Sequence, residues 1–146
     1  AVIVRGGKLL MVFSGVNGDY KFPGGGVKEG ESHFQVLQRE LREETGSTLI
    51  DLIRIVGITL EYDRTERQGY GYFKMFSFYY LCGIEDHFQS TLLDPYEAEL
   101  GFAPAWVNCR VALKNNETLF TAANSDHLGW LQRETAVLNI LKNVLE

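Results

Sequence analysis

Three glutamates, Glu40, Glu43 and Glu44, share five consecutive positions. On a helix, at 100° per residue, they fall within an arc of about 100°. Like charges three or four residues apart repel by about 0.2–0.5 kcal/mol per pair, so something outside the chain should offset that cost. A hard divalent cation does this naturally. Mg2+, or Mn2+ in its place, takes oxygen ligands and keeps positions open for substrate phosphates. Glu40 and Glu44 are i, i+4 neighbours that can reach one ion together, and Glu43 can complete the cluster as a base or as a ligand through water. Just upstream runs Phe22-Pro23-Gly24-Gly25-Gly26-Val27. Glycines let backbone approach a ligand closely, so Gly24 and Gly25 are expected to offer the metal a main-chain carbonyl.

The helix that must carry the glutamates is legible from its ends. Ser32 is a good N-cap with Gln35 three residues on, which makes a capping box available, and Gly46 supplies a left-handed stop. Phe34, Leu37 and Leu41 recur at i, i+3 and i+7, an apolar stripe that must face a core. Glutamate-rich helices are usually solvated faces. The offsets of Gly25, Glu31 and Arg39 argue against that reading here.

Taken whole, Gly25-x5-Glu31-x7-Arg39-Glu40-Leu41-x-Glu43-Glu44-x-Gly46 resembles the Nudix box, the motif of hydrolases that cleave a nucleoside diphosphate linked to another group. The preceding Phe-Pro-Gly-Gly is similar as well. One position departs: Ser47 stands where the family usually has an apolar residue, which affects packing and leaves the chemistry alone. The resemblance implies an α/β fold, an α/β/α sandwich whose mixed β-sheet is flanked by helices, and a Mg2+-dependent pyrophosphatase. It implies that Glu31 and Arg39 belong to the catalytic set by bracing the loop against the helix. Some members place a further catalytic glutamate in a loop before a strand carrying Trp. Glu97 and Glu99 both precede Trp106, and spacing favours Glu99. Other members keep the fold as non-catalytic nucleotide-ligand binding or regulatory modules. Those are expected to lose metal-site carboxylates, which this chain retains.

The resemblance implies a phosphorylated small-molecule substrate of the nucleoside triphosphate, dinucleoside polyphosphate or nucleotide sugar class. Tyr62 lies downstream of the box, where a proline would suggest ADP-ribose, so that substrate is disfavoured. Tyr70, Tyr72, Phe102 and Trp106 are candidates for stacking on a base, and Arg64 and Arg67 for meeting phosphates. Dimers are common in the family.

At 146 residues the chain is expected to form one domain over 1–146. With 45% hydrophobic and 23% charged residues it reads as an ordinary globular protein. The net charge of -5 argues against binding a nucleic-acid polymer. Cys82 and Cys109 are isolated, as expected of free thiols in a reducing cytoplasm. No stretch approaches the 18 or so apolar residues of a membrane span. Asn116-Glu117-Thr118 fits a glycosylation sequon and is read as incidental. The first strand begins at Ala1 with no initiating Met, as in a processed or trimmed chain.

Ala1–Val4, a Gly6-Gly7 turn and Leu9–Val12 predict a hairpin, and Ser14–Lys21 a polar loop. Strands are expected at Leu52–Tyr62, Tyr72–Gly83 and Ala105–Val107, and a C-terminal amphipathic helix at Leu128–Leu145. Strands, helix, strands and helix in that order suggest a mixed sheet flanked by helices.

Overall fold

A computed structural model describes residues 1–64, 68–122 and 129–144 of the chain. Its elements are β1 (Val4–Arg5), β2 (Lys8–Ser14), β3 (Tyr20–Lys21), α1 (His33–Thr45), β4 (Leu49–Arg64), β5 (Tyr72–Ile84), α2 (Pro95–Glu99), β6 (Phe102–Val107), α3 (Cys109–Ala122) and α4 (Gly129–Leu141). Among them no helix is long and apolar enough to cross a membrane.

The centre is β2. It pairs antiparallel with β1 and β3 along one edge and with β6 along the other, from Leu9 opposite Val107 to Ser14 opposite Phe102. A second pair, β4 and β5, runs as a long antiparallel ribbon. Val2 joins the two systems through a parallel bridge to Leu81. Its N–H donates to the Tyr80 carbonyl at 2.7 Å and its carbonyl accepts from Cys82 N–H at 2.9 Å. Strand directions are therefore mixed.

Alternation along the strands sends side chains into two cores. Leu10 and Ile3 pack with Leu37 and Leu41 of α1 and with Leu49, Cys82 and Ile84. Leu9, Met11 and Val2 face the other way, into Ala112 and Leu113 of α3 and Leu138 and Leu141 of α4. Helices thus cover both sides of the sheets, giving the expected α/β/α layering. Both thiols are free and buried, and burial raises the pKa of each.

Several elements differ from expectation. The Ser14–Lys21 loop closes into β3, because Asn116 of α3 hydrogen-bonds both the Tyr20 N–H (3.0 Å) and its carbonyl (2.8 Å). That use leaves the Asn116 side chain wholly buried, so the sequon is a helix position out of reach of a glycan. Helices α2 and α3 had no assigned element: α2 is short, and the polar Asn116 interrupts the α3 stripe of Cys109, Ala112 and Leu113. The expected last helix is seen as α4, and its foreseen ends at Leu128 and Leu145 lie outside the described residues.

Candidate active site

Helix α1 begins as its sequence requires. Ser32 Oγ accepts from Gln35 N–H at 3.3 Å while Gln35 Oε1 accepts from Ser32 N–H at 2.8 Å, closing the capping box. With Leu37 and Leu41 fixed in the core, Glu40 and Glu44 are turned inward beside them, and both are buried. Glu44 has no exposed surface. Its Oε2 accepts from Gly24 N–H at 2.8 Å. Its Oε1 pairs with Lys21 Nζ at 2.7 Å, a buried ion pair. Burial raises the Glu44 pKa; the Lys21 ammonium and the Gly24 N–H pull the other way.

Arg39 organises the remaining carboxylates. Its Nε and Nη2 donate to the two oxygens of Glu31 at 2.9 and 3.0 Å, a bidentate pair. Nη1 donates to Glu40 Oε1 at 2.5 Å and reaches Glu43 at 3.5 Å, and Nη2 contacts the Gly26 carbonyl at 3.4 Å. One guanidinium therefore ties the glycine loop, Glu31 and α1 together. The Arg39 hydrogen bonds, helped by the Lys28 N–H, lower the Glu31 pKa to about 2. The loop lies directly on the helix. A Cβ on Gly25 would come within 2.2 Å of Glu40 Oε1, so any side chain there would displace the carboxylate.

A third carboxylate arrives from α2. Glu40, Glu44 and Glu97 each bring an oxygen within 4.8 Å of the others. Glu97 is fixed by a second capping box, in which its N–H donates to Asp94 Oδ1 (2.8 Å) and its Oε2 accepts from Asp94 N–H (2.9 Å). The segment leading to α2 is strapped to the end of α1. Gln89 N–H donates to the Gly46 carbonyl and Leu92 N–H to that of Glu43, both at 2.8 Å, while Arg42 reaches Ser90 O at 2.6 Å. Gly46 has φ +71°, and a Cβ there would fall 1.9 Å from Gln89 O.

Of the residues foreseen from sequence, Glu31, Arg39, Glu40, Glu44, Gly24 and Gly25 converge. Glu43 sits beside Arg39, outside the three-carboxylate group, and Glu99 lies exposed at the end of α2. The helical turn of α2 explains the exchange, because the capping box holds Glu97 at the third position while Glu99 follows on the solvent side. Asp94-Pro95 with Glu97 three residues on was the signal available for this. Gly24 and Gly25 act through an N–H and through absent bulk in the contacts just described. Ser47 is buried, sharing a 2.7 Å hydrogen bond with the Thr45 hydroxyl, so a polar side chain fits the usually apolar position.

The aromatic candidates separate similarly. Phe102 lies under Lys21 Nζ, 4.1 Å from the ring centroid, and Trp106 packs against Phe88 and Arg5. Tyr70 and Tyr72 are exposed toward the far end of the ribbon with Arg64, and Arg67 lies outside the described residues. A residue that sequence reasoning passed over is Glu134, buried in α4. It accepts from Phe22 N–H (2.7 Å), Tyr79 Oη–H (3.2 Å) and Arg133 Nε–H (3.1 Å), anchoring the start of the glycine loop. A glutamate on the apolar stripe of Leu131, Leu138 and Leu141 was its only sequence signal.

Beyond the loop opens a cavity of about 440 Å3, bounded by Gly24–Gly26, His33, Phe76, Phe78, Tyr80 and Arg133. It is mainly apolar and aromatic, with charge at the Arg133–Glu134 end.

This geometry meets the comparisons with known proteins. No curated protein sequence matches the chain. A NUDIX hydrolase from Nitrosomonas europaea is similar in structure, with TM-score 0.57 and 20% identity over 88% of this chain and 86% of that one. The Ap4A hydrolase of C. elegans aligns over 99% of this chain and 94% of its own, with TM-score 0.47 and 17% identity. The model of the NUDIX domain matches residues 1–130. Nearly the whole chain is thus accounted for, and the protein belongs to the Nudix family, the hydrolases of pyrophosphate bonds.

Proposed function

We propose that the chain is a Mg2+-dependent pyrophosphohydrolase that cleaves a nucleoside diphosphate linked to another group, in a nucleoside triphosphate, a dinucleoside polyphosphate or a nucleotide sugar. The observation that carries this reading is the meeting of Glu40, Glu44 and Glu97 oxygens within 4.8 Å. The burial of Glu44 beside two other acids supports it, because a buried carboxylate is costly unless cations such as the Lys21 ammonium and a metal ion offset its charge. The donor set fits the ion: the hard carboxylates of Glu40 and Glu44 suit Mg2+ or Mn2+, with Glu97 beside them. When bound, such an ion supplies charge neutralisation for phosphate oxygens and a more acidic water.

The chain's own groups do the rest. Glu40 and Glu44 would hold the ion, Glu44 being fixed by Gly24 N–H and Glu40 by Arg39. Glu97, half-buried at the rim, takes the proton as a water oxygen bonds to phosphorus and the anhydride P–O bond breaks toward the departing phosphate. Lys21 beside Glu44 adds positive charge on the side where phosphates gather. The cavity next to the glycine loop offers apolar and aromatic surface to the remainder of the substrate.

A Mg2+-dependent phosphate-release screen tests the reading, comparing nucleoside triphosphates, dinucleoside polyphosphates, nucleotide sugars, ADP-ribose and coenzyme A, with Glu44→Gln as the blank. Turnover of one of the first three classes, lost in the blank, is expected. Folded protein that binds Mg2+ and turns over none of them would overturn it.

A further inference from the structure

Two cations built into the chain stand among the acids of the site, and they are held in different ways. Arg39 is locked: it donates to both oxygens of Glu31, to Glu40 and to the Gly26 carbonyl, and reaches Glu43. Its planar fork serves that many acceptors at once. Lys21 pairs with one acid, Glu44, at 2.7 Å, and its Nζ rests 4.1 Å from the Phe102 ring centroid. An ammonium on a flexible stem is a compact, movable charge, and the Lys21 side chain keeps 25% of its surface exposed. Its backbone is fixed in β3 opposite Val12, so movement is confined to the stem.

Glu44, by contrast, is closed on both oxygens. It has no exposed surface, Gly24 N–H takes Oε2 at 2.8 Å, and the Lys21 ammonium takes Oε1. A cation entering between Glu40, Glu44 and Glu97 must therefore uncover a Glu44 oxygen. Of the two covering groups, only the ammonium can withdraw without moving backbone. A positive charge kept at Oε1 would also repel the cation, and a low-dielectric setting strengthens that repulsion. The Phe102 ring gives the ammonium a favourable neighbour as it leaves, since aromatic faces attract cations within about 6 Å.

We propose that Lys21 is an internal competitor of the divalent cation: its ammonium guards Glu44 Oε1 and yields that oxygen to the ion, so this one side chain sets how tightly the site loads. This role rests on the metal reading of Glu40, Glu44 and Glu97 given above. The apparent affinity for the ion is then the intrinsic one multiplied by the fraction of molecules in which Oε1 is open. Lys21 in turn keeps Glu44 paired whenever no ion is bound, as a buried carboxylate requires. A Lys21 that merely braced Glu44 for the ion would act with the opposite sign, because removing it would weaken binding.

Mn2+ titration, followed by the loss of the free-ion electron paramagnetic resonance signal, tests it with Lys21→Met and Lys21→Gln beside the unaltered chain. Glutamine still offers Glu44 an N–H, so it preserves the fold if methionine leaves the buried acid too costly. Each variant should bind Mn2+ at least about 5-fold more tightly, the lower end of ordinary coupling between two sites. Thermal melting gives a second reading that needs no turnover. Each variant should melt below the unaltered chain without metal, and the deficit should shrink under saturating Mn2+, because tighter binding stabilises more at equal ion concentration. Binding that is unchanged or weaker in the folded variants overturns the proposal and makes Lys21 a brace. A melting deficit that Mn2+ leaves untouched does the same. Absence of Mn2+ binding in all three chains overturns the metal reading itself, and the competitor role with it.

Discussion

At the carboxylate site a glutamate with no exposed surface lies beneath the glycine loop, whereas along the outer ribbon Leu60 and Phe76 keep more than half of theirs. Charge is buried in one region and apolar surface is bare in the other. The difference lies in compensation. Each buried carboxylate has a designated partner: Gly24 N–H and Lys21 for Glu44, and Arg39 for Glu40. What remains open there is the gap between three acids. On the ribbon Tyr62 stacks on Tyr72 and Lys74 Nζ lies 5.0 Å from the Phe76 centroid, and the side chains still stay about half exposed. On the proposed function the first region takes an ion and a phosphate; the second offers apolar surface that the described residues leave half exposed.

That contrast can be broken by showing that either region depends on the other. The largest effect is expected from Glu44→Gln, which should abolish Mg2+-dependent turnover and leave sedimentation unchanged. Melting without metal should occur at a lower temperature with the fold kept, because Lys21 loses the carboxylate it pairs with. Retained activity would end the metal assignment. Next, Glu97→Gln should lower kcat by at least about 10^2-fold, and Glu99→Gln should stay within a few-fold. A reversed ranking in steady-state kinetics would return the role to Glu99.

Packing gives a smaller and sharper contrast. Leu41→Ala, in the core under α1, should cost about 2–5 kcal/mol in urea unfolding. Leu60→Ala should cost less than about 0.5 kcal/mol at concentrations where the chain is monomeric. Equal costs would mean that the ribbon face is covered within one chain. The smallest effect concerns acid. The Glu31 pKa of about 2 lies below its ordinary 4.5, so its contribution is fully present above about pH 4.5 and is lost as pH falls toward 2. In Glu31→Gln that part of the acid slope should vanish, which denaturation at several pH values from about 5 down to 2 would reveal.

The box residues were legible because helix period, caps and glycine offsets are local properties. Ser32, Gln35 and Gly46 bound α1 where expected, and Glu40 and Glu44 share the flank that the Leu37–Leu41 stripe dictates. Glu97 and Glu134 were not legible in the same way. Their positions depend on where a short helix and a C-terminal helix dock, which no local pattern states. The ribbon aromatics were legible only as strand: Tyr72 and Phe76 fall in the expected Tyr72–Gly83, and cross-strand register, which no local pattern states, sends them to solvent. Asn116 hid α3 because its partner, the backbone of Tyr20, is distant in sequence.

The strap across the end of α1 bears on which substitutions the chain can accept. By conformation alone Gly46 would admit asparagine, which also enters the left-handed region at helix ends. The Gln89 carbonyl already fills the space where any Cβ would go. Asparagine could therefore end the helix correctly and still push the strap outward, carrying Asp94 and Glu97 with it. The reach of the third carboxylate is thus gauged by a residue that has no side chain at all.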